Sequence, residues 1–223
     1  MKEFIIELCL LIPTVIVALT MHEYAHARVA CWQGDKTSYE LGRLTLNPLK
    51  HLDPIGAVCL LFFRFGWAKP VPVNPYRFKR PRLGLALTSV AGPIMNLILA
   101  FIGAFFYVLS ARIYLTVPMN QFASNIIYAW VLFNNYFSLI NINLAIFNLL
   151  PIPPLDGSKV LFSVLPQSTV EKIQRYQMYI SIAFLAILFL DSRLLNGNIT
   201  YGLRFLSGKI FEGFSEPFYN IFF

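Results

Sequence analysis

The chain has 223 residues, of which 57% are hydrophobic and 13% are charged, and its formal net charge is +7. Soluble proteins contain about 45–50% apolar and about 25% charged residues, so this composition excludes an ordinary soluble globule, a disordered chain and a collagen-like protein. Three cysteines without paired spacing also argue against a disulfide scaffold. We therefore expect an all-α polytopic membrane protein.

The first predicted element is a transmembrane helix over residues 4–32, because its acidic start and missing cleavage site do not fit a signal peptide. Residues 33–83 differ from this segment in composition and hold nine of the eighteen Lys and Arg residues. Within them, Ile55–Phe63 is an apolar run of nine residues, which is too short to span a membrane as a helix. We predict a membrane-associated β-hairpin or re-entrant region at 41–74.

Three further transmembrane helices are predicted over residues 83–111, 123–150 and 172–192, which gives about four spans in one domain over 1–223. Whether residues 196–223 insert or lie in the interface stays open. Basic residues indicate the orientation, since cytoplasmic loops are enriched in Lys and Arg. The 33–83 and 151–175 segments together hold twelve of them, so we expect both on the cytoplasmic side of the cell membrane and the N-terminus outside.

The residues from His22 to His26 read His-Glu-Tyr-Ala-His inside the first apolar segment. On a helix, positions i and i+4 share a face, so both imidazoles can bind one Zn²⁺. Glu23 can act as the general base toward a water activated by the metal. Ionisable side chains are costly within a membrane, which favours a functional site over a structural role.

A catalytic zinc site needs a third protein ligand. Asp156 is the preferred candidate, because the prolines before it end the third span and turn the chain inward. The other candidates are His51, Asp53 and Glu7, and Asp156 has an alternative role as a helix N-cap.

Together these motifs resemble the site-2 proteases, a family of zinc-dependent intramembrane metalloproteases. The lesser stretches that carry the resemblance are Gly42–Pro48, His51–Gly56, Lys69–Asn74 and Ser89–Asn96, beside His22–His26 and Asn148–Gly157. The resemblance implies His22, His26 and Asp156 as zinc ligands, Glu23 as the base, and a core open to the cytoplasm. The short turn between the second and third spans points to the small branch without a PDZ or CBS domain.

The resemblance also suggests that Asn148 holds substrate backbone or the oxyanion. Asn96 and Asn141 are further candidates for that role, with interhelical packing as their alternative. The expected partners are a transmembrane substrate protein or peptide and the lipid bilayer, with no nucleic acid, and the predicted hairpin would bind an unwound substrate by strand addition. A zinc hydrolase of lipid amides or esters, and a metal-stabilised scaffold or transporter, are the two competing functions.

Overall fold

A computed structural model describes residues 2–56, 67–194 and 198–223. The described chain is helical, with two short 3₁₀ turns at Pro48–Lys50 and Pro75–Arg77. The α-helices are α1 Lys2–Trp32, α2 Thr37–Glu40, α3 Pro81–Thr116, α4 Gln121–Leu149, α5 Asp156–Val164, α6 Gln167–Arg175, α7 Gln177–Leu194 and α8 Asn198–Phe222.

Three of the described helices, α1, α3 and α4, are long and apolar enough to cross a membrane. They coincide with the first three predicted spans within a few residues. The predicted fourth span at 172–192 instead covers the end of α6 and most of α7, with a break at Tyr176. The described apolar part of α7 is only Gln177–Ile187, so a fourth span is not confirmed.

Helix α3 lies at the centre of the packing and contacts α1, α4, α5 and α8. Its buried residues are mostly small, including Ala91, Gly92, Ala100 and Gly103, and small residues let membrane helices approach closely. The Ser138 hydroxyl of α4 donates to the carbonyl of Ala100 at 2.7 Å. The first half of α3 lies against α1, where the two histidines of the motif are.

Helix α8 packs on the second half of α3 through aromatic side chains. Phe101 and Phe105 of α3 contact Phe218, with ring centroids 5.1 and 5.2 Å apart. Phe211 and Tyr107 form a further pair at 5.3 Å. These contacts stabilise the end of α3 that lies away from the histidine motif.

The predicted β-hairpin at 41–74 is wrong for the residues that the structure describes. Residues 41–56 and 67–74 contain no strand there, and their sole ladder contact is an isolated antiparallel bridge between Leu52 and Ala68. Most of the apolar run Ile55–Phe63 falls outside the described residues. The physical reason is visible in the second half: Pro70 and Pro72 have no N–H to donate to a ladder.

Residues 69–74 form instead an extended segment, here called the strap, that is tied to α2 and to the loops on either side of it. The Ser38 hydroxyl donates to the Pro72 carbonyl at 2.6 Å, and the Arg43 guanidinium donates to the Lys69 carbonyl at 2.8 Å. The fully buried Asp35 accepts from the N–H of Asn74 at 2.6 Å. The strap is thereby fixed by side chains rather than by a partner strand.

Candidate active site

Helix α1 places the two histidines of the motif on one buried face, as their spacing predicts. His22 and His26 are only 5% and 7% exposed. Their Nε2 atoms are 3.0 Å apart, and their rings meet edge to face. Two nitrogen atoms that could ligate a metal therefore point to the same place.

Asp156 reaches the same place from the beginning of α5. Its Oδ2 atom lies 3.1 Å from Nε2 of His22 and 3.0 Å from Nε2 of His26. The prolines after Leu149 follow the end of α4, and Asp156 is the first residue of α5, with Leu155 at the N-cap position. Among the described residues, His22, His26 and Asp156 form the group that could hold a metal ion.

The opposite sides of both imidazole rings are held by fixed acceptors. Nδ1 of His26 donates to the carbonyl of Thr88 at 2.6 Å, and Nδ1 of His22 lies 2.5 Å from Oδ1 of Asn96. A carbonyl can only accept, so the proton of the neutral His26 ring is on Nδ1 and the lone pair is on Nε2. Such outer contacts are typical of metal-ligating histidines.

The arrangement fits a zinc ion. Tetrahedral zinc with ligand distances of about 2.0–2.1 Å separates its ligand atoms by about 3.3 Å. The three atoms here are separated by 3.0–3.1 Å. With a metal bound, both rings would keep the proton on Nδ1, and the two Nε2 atoms and Oδ2 of Asp156 would present lone pairs to the cation.

Gly92 of α3 keeps the space beside the two rings open. A Cβ atom at this position would lie 2.5 Å from Nε2 of His26 and 2.6 Å from Nε2 of His22. Real Cβ atoms essentially never approach other atoms within 3.0 Å. The absence of a side chain at Gly92 is therefore part of the site.

Asp156 is ionised at neutral pH. Burial raises the pKa of its carboxyl, but in the absence of a metal ion, hydrogen bonds from His22 and His26 and the charge on His26 outweigh that effect and hold the pKa well below its ordinary value. The Lys159 ammonium contributes as well, because it donates to Oδ1 of Asp156 at 2.8 Å. One carboxylate oxygen thus pairs with lysine, while the other faces the histidines.

Glu23 is buried beside this group and is held by the strap. It is 9% exposed, and its Oε2 atom accepts a hydrogen bond from the N–H of Val71 at 2.8 Å. The second carboxylate oxygen has no partner described for it. The strap thereby orients the carboxylate that the sequence predicts to be the general base.

The remaining candidates lie at different distances from the histidines. Asn96 contacts His22 directly, Asn141 contacts Asn96 at 2.9 Å, and Asn148 donates to the Leu144 carbonyl at 2.9 Å. Their role in holding substrate stays a prediction. His51 donates to the carbonyl of Thr45 at 2.8 Å and does not join the metal-binding group.

Sequence reasoning missed four partners of the site: the Thr88 carbonyl, Gly92, the Val71 N–H and Lys159. The sequence does contain a signal for two of these partners, Thr88 and Gly92. Thr88, Gly92 and Asn96 are spaced four apart, which places them on one helix face. Each of the three lies against a histidine of α1.

Known proteins similar to this chain carry the names of zinc metalloproteases. A Bacillus subtilis (strain 168) protein named "Putative zinc metalloprotease YwhC" is 45% identical over 181 residues, which cover 79% of this chain and 78% of the relative. The Mycobacterium tuberculosis (strain H37Rv) protein "Putative zinc metalloprotease Rip2" is 31% identical over 202 residues, covering 86% of this chain and 72% of the relative. No solved structure matches the chain. Residues 10–189 match Peptidase family M50, and the chain belongs to that family, the site-2 proteases that its sequence motifs resemble.

Proposed function

We propose that the protein is a zinc-dependent intramembrane endopeptidase that cleaves transmembrane segments of substrate proteins, either in regulated proteolysis or in the clearance of membrane peptide remnants. In this proposal His22, His26 and Asp156 hold the zinc, and Glu23 is the general base. The observation that carries it is the convergence of three ligand atoms within 3.0–3.1 Å, two of them on a helix long and apolar enough to span a membrane.

When bound, zinc supplies Lewis-acid polarisation of the scissile carbonyl and makes the attacking water more acidic. Glu23 takes the proton from that water as the nucleophile forms, and returns it to the amine that leaves. The N–H of Val71 holds one oxygen of Glu23, which fixes the direction of the other. The Lys159 ion pair keeps Asp156 anionic and oriented toward the histidines.

Two other functions fit fewer of the observations. A lipid hydrolase would use the same metal group, and a scaffold or transporter would need the metal but no base. Membership in a peptidase family favours peptide hydrolysis.

The direct comparison is to incubate the purified protein with a transmembrane peptide and, separately, with phospholipids and amide-linked lipids. We expect new peptide termini and intact lipids, and products from lipid alone would support the lipid hydrolase.

The proposed ligand role of Asp156 has a separate test. Asp156→Ala removes one of three protein ligands, so we expect zinc bound after dialysis to fall from one per chain to near zero. The matched control is Glu171→Ala on α6, which should retain zinc. If Asp156 served only as a helix cap, its replacement would cost about 1 kcal/mol of stability and leave zinc in place.

We further propose that the site opens toward the cytoplasm in the cell membrane, within a single domain of four spans in which α7 is the fourth. The support is the concentration of Lys and Arg in the 33–83 and 151–175 segments, which flank the site. A reporter enzyme that works only in the cytoplasm should be active when it is fused after Lys79. Reporter activity on the outer side of the membrane would overturn this orientation.

A further inference from the structure

We infer that Asn96 and Asn141 are positioning residues that form a directional hydrogen-bond relay across three helices and hold His22 in its metal-binding tautomer. The relay runs from Nδ1 of His22 on α1 to Asn96 on α3 and then to Asn141 on α4. This inference rests on the proposed ligand set, and it assigns the two asparagines a role toward the metal rather than toward substrate.

The direction of the relay is set by groups that can only accept. The side-chain nitrogen of Asn141 donates to the carbonyl of Phe137 at 2.8 Å, which leaves its Oδ1 as an acceptor. Nδ2 of Asn96 donates to that Oδ1 at 2.9 Å and also faces the carbonyl of Ala18 at 3.4 Å. The amide of Asn96 is therefore fixed with its oxygen toward His22.

An oxygen at this position determines where the His22 proton lies. Oδ1 of Asn96 is 2.5 Å from Nδ1 of His22, so in the neutral ring Nδ1 carries the hydrogen and Nε2 keeps its lone pair. If Asn96 presented its NH₂ group instead, Nδ1 would have to accept and the proton would move to Nε2. That tautomer cannot ligate a metal through Nε2.

Water cannot easily replace either asparagine. Asn96 and Asn141 are both 0% exposed, and His22 is 5% exposed. A buried ring nitrogen that loses its partner finds no other, so the loss acts on the tautomer and on the ring orientation. Removal of such outer contacts typically weakens metal binding by about 10–100-fold.

Helix α4 supplies a matched control at Asn134. This residue lies seven positions before Asn141 and is 3% exposed, and its side-chain nitrogen donates to the carbonyl of Trp130 at 2.8 Å. Asn141 makes the same contact with the residue four positions earlier. The difference between them is the hydrogen bond that Asn141 accepts from Asn96.

The experiment measures zinc affinity of the purified full chain in detergent by competition with a chromophoric chelator. Asn96→Leu should weaken zinc binding by about 10–100-fold. Asn141→Leu should weaken it by a smaller factor, because the Asn96 amide is then oriented only by its longer contact with the Ala18 carbonyl. Asn134→Leu should bind as the wild type does. Asn96→Asp keeps an acceptor for His22 and should restore most of the affinity. The ligand-field spectrum of the Co²⁺-loaded protein should change in Asn96→Leu and Asn141→Leu alone.

The outcomes separate this inference from the proposed function. Equal zinc affinity in the wild type, Asn96→Leu and Asn141→Leu would overturn the relay and leave the ligand set intact. Equal losses in Asn141→Leu and Asn134→Leu would also overturn it, because they would reflect general packing. If Asn96→Leu does not fold, the zinc affinities of Asn141→Leu and Asn134→Leu still test the relay, because the relay predicts a loss in Asn141→Leu alone. A wild-type chain that binds no zinc would refute the proposed function itself.

Discussion

Glu23→Gln is expected to lower the rate of peptide cleavage by about 10²–10⁴-fold, the range that a positioned general base contributes. Glutamine has nearly the shape of glutamate and can still accept the hydrogen bond from the Val71 N–H, so the strap and the fold should persist. It cannot take a proton from water. The measurement is single-turnover cleavage of a transmembrane peptide by protein that carries one zinc per chain.

The matched control is Glu40→Gln, which changes an exposed carboxylate paired with Arg77 outside the site. That variant should cleave at the wild-type rate with zinc unchanged. A Glu23→Gln protein that retains zinc and cleaves as fast as the wild type would remove Glu23 as the base, and another proton acceptor would then be required.

Gly92→Ala is expected to weaken zinc binding by about ten- to a hundred-fold although it adds a single methyl group. The new Cβ would lie 2.5–2.6 Å from the Nε2 atoms of His22 and His26. The rings cannot move aside freely, because Asn96 and the Thr88 carbonyl hold their other sides. Overpacking of this kind costs about 1–3 kcal/mol, and about 1.4 kcal/mol corresponds to a tenfold change in affinity.

Zinc titration of the Gly92→Ala protein measures this effect, and thermal unfolding checks the fold. Alanine favours a helix by about 1 kcal/mol over glycine, so helix α3 itself should not be weakened. Gly208→Ala on α8 is the control, since nothing lies within 4 Å of a Cβ there. Unchanged zinc affinity in Gly92→Ala would mean that the rings do not occupy the positions described here.

The parts of the site that follow local rules could be predicted from the sequence. The spacing of His22 and His26 puts them on one helix face whatever surrounds them. The long, mainly apolar stretches in α1, α3 and α4 identify three spans because a membrane requires long apolar helices. Asp156 could be identified as a ligand candidate because few carboxylates lie near the apolar segments and because prolines precede this one.

The parts that depend on tertiary contacts could not be predicted. The hairpin prediction relied on an alternating, apolar pattern, but the described residues of that region bond to Asp35, Ser38 and Arg43 rather than to a neighbouring strand. The partners of the imidazole rings come from α3, and pairing one helix face with another requires the packing itself. For the same reason the contact between Val71 and Glu23, residues 48 positions apart, has no local signal.

The most direct test of the central claim is zinc K-edge X-ray absorption of the purified wild-type protein. We predict one zinc per chain with nitrogen and oxygen neighbours at about 2.0–2.2 Å, two of them imidazoles, and no sulfur ligand. A zinc–sulfur distance of about 2.3 Å, or a spectrum with a single imidazole, would contradict a site made by His22, His26 and Asp156.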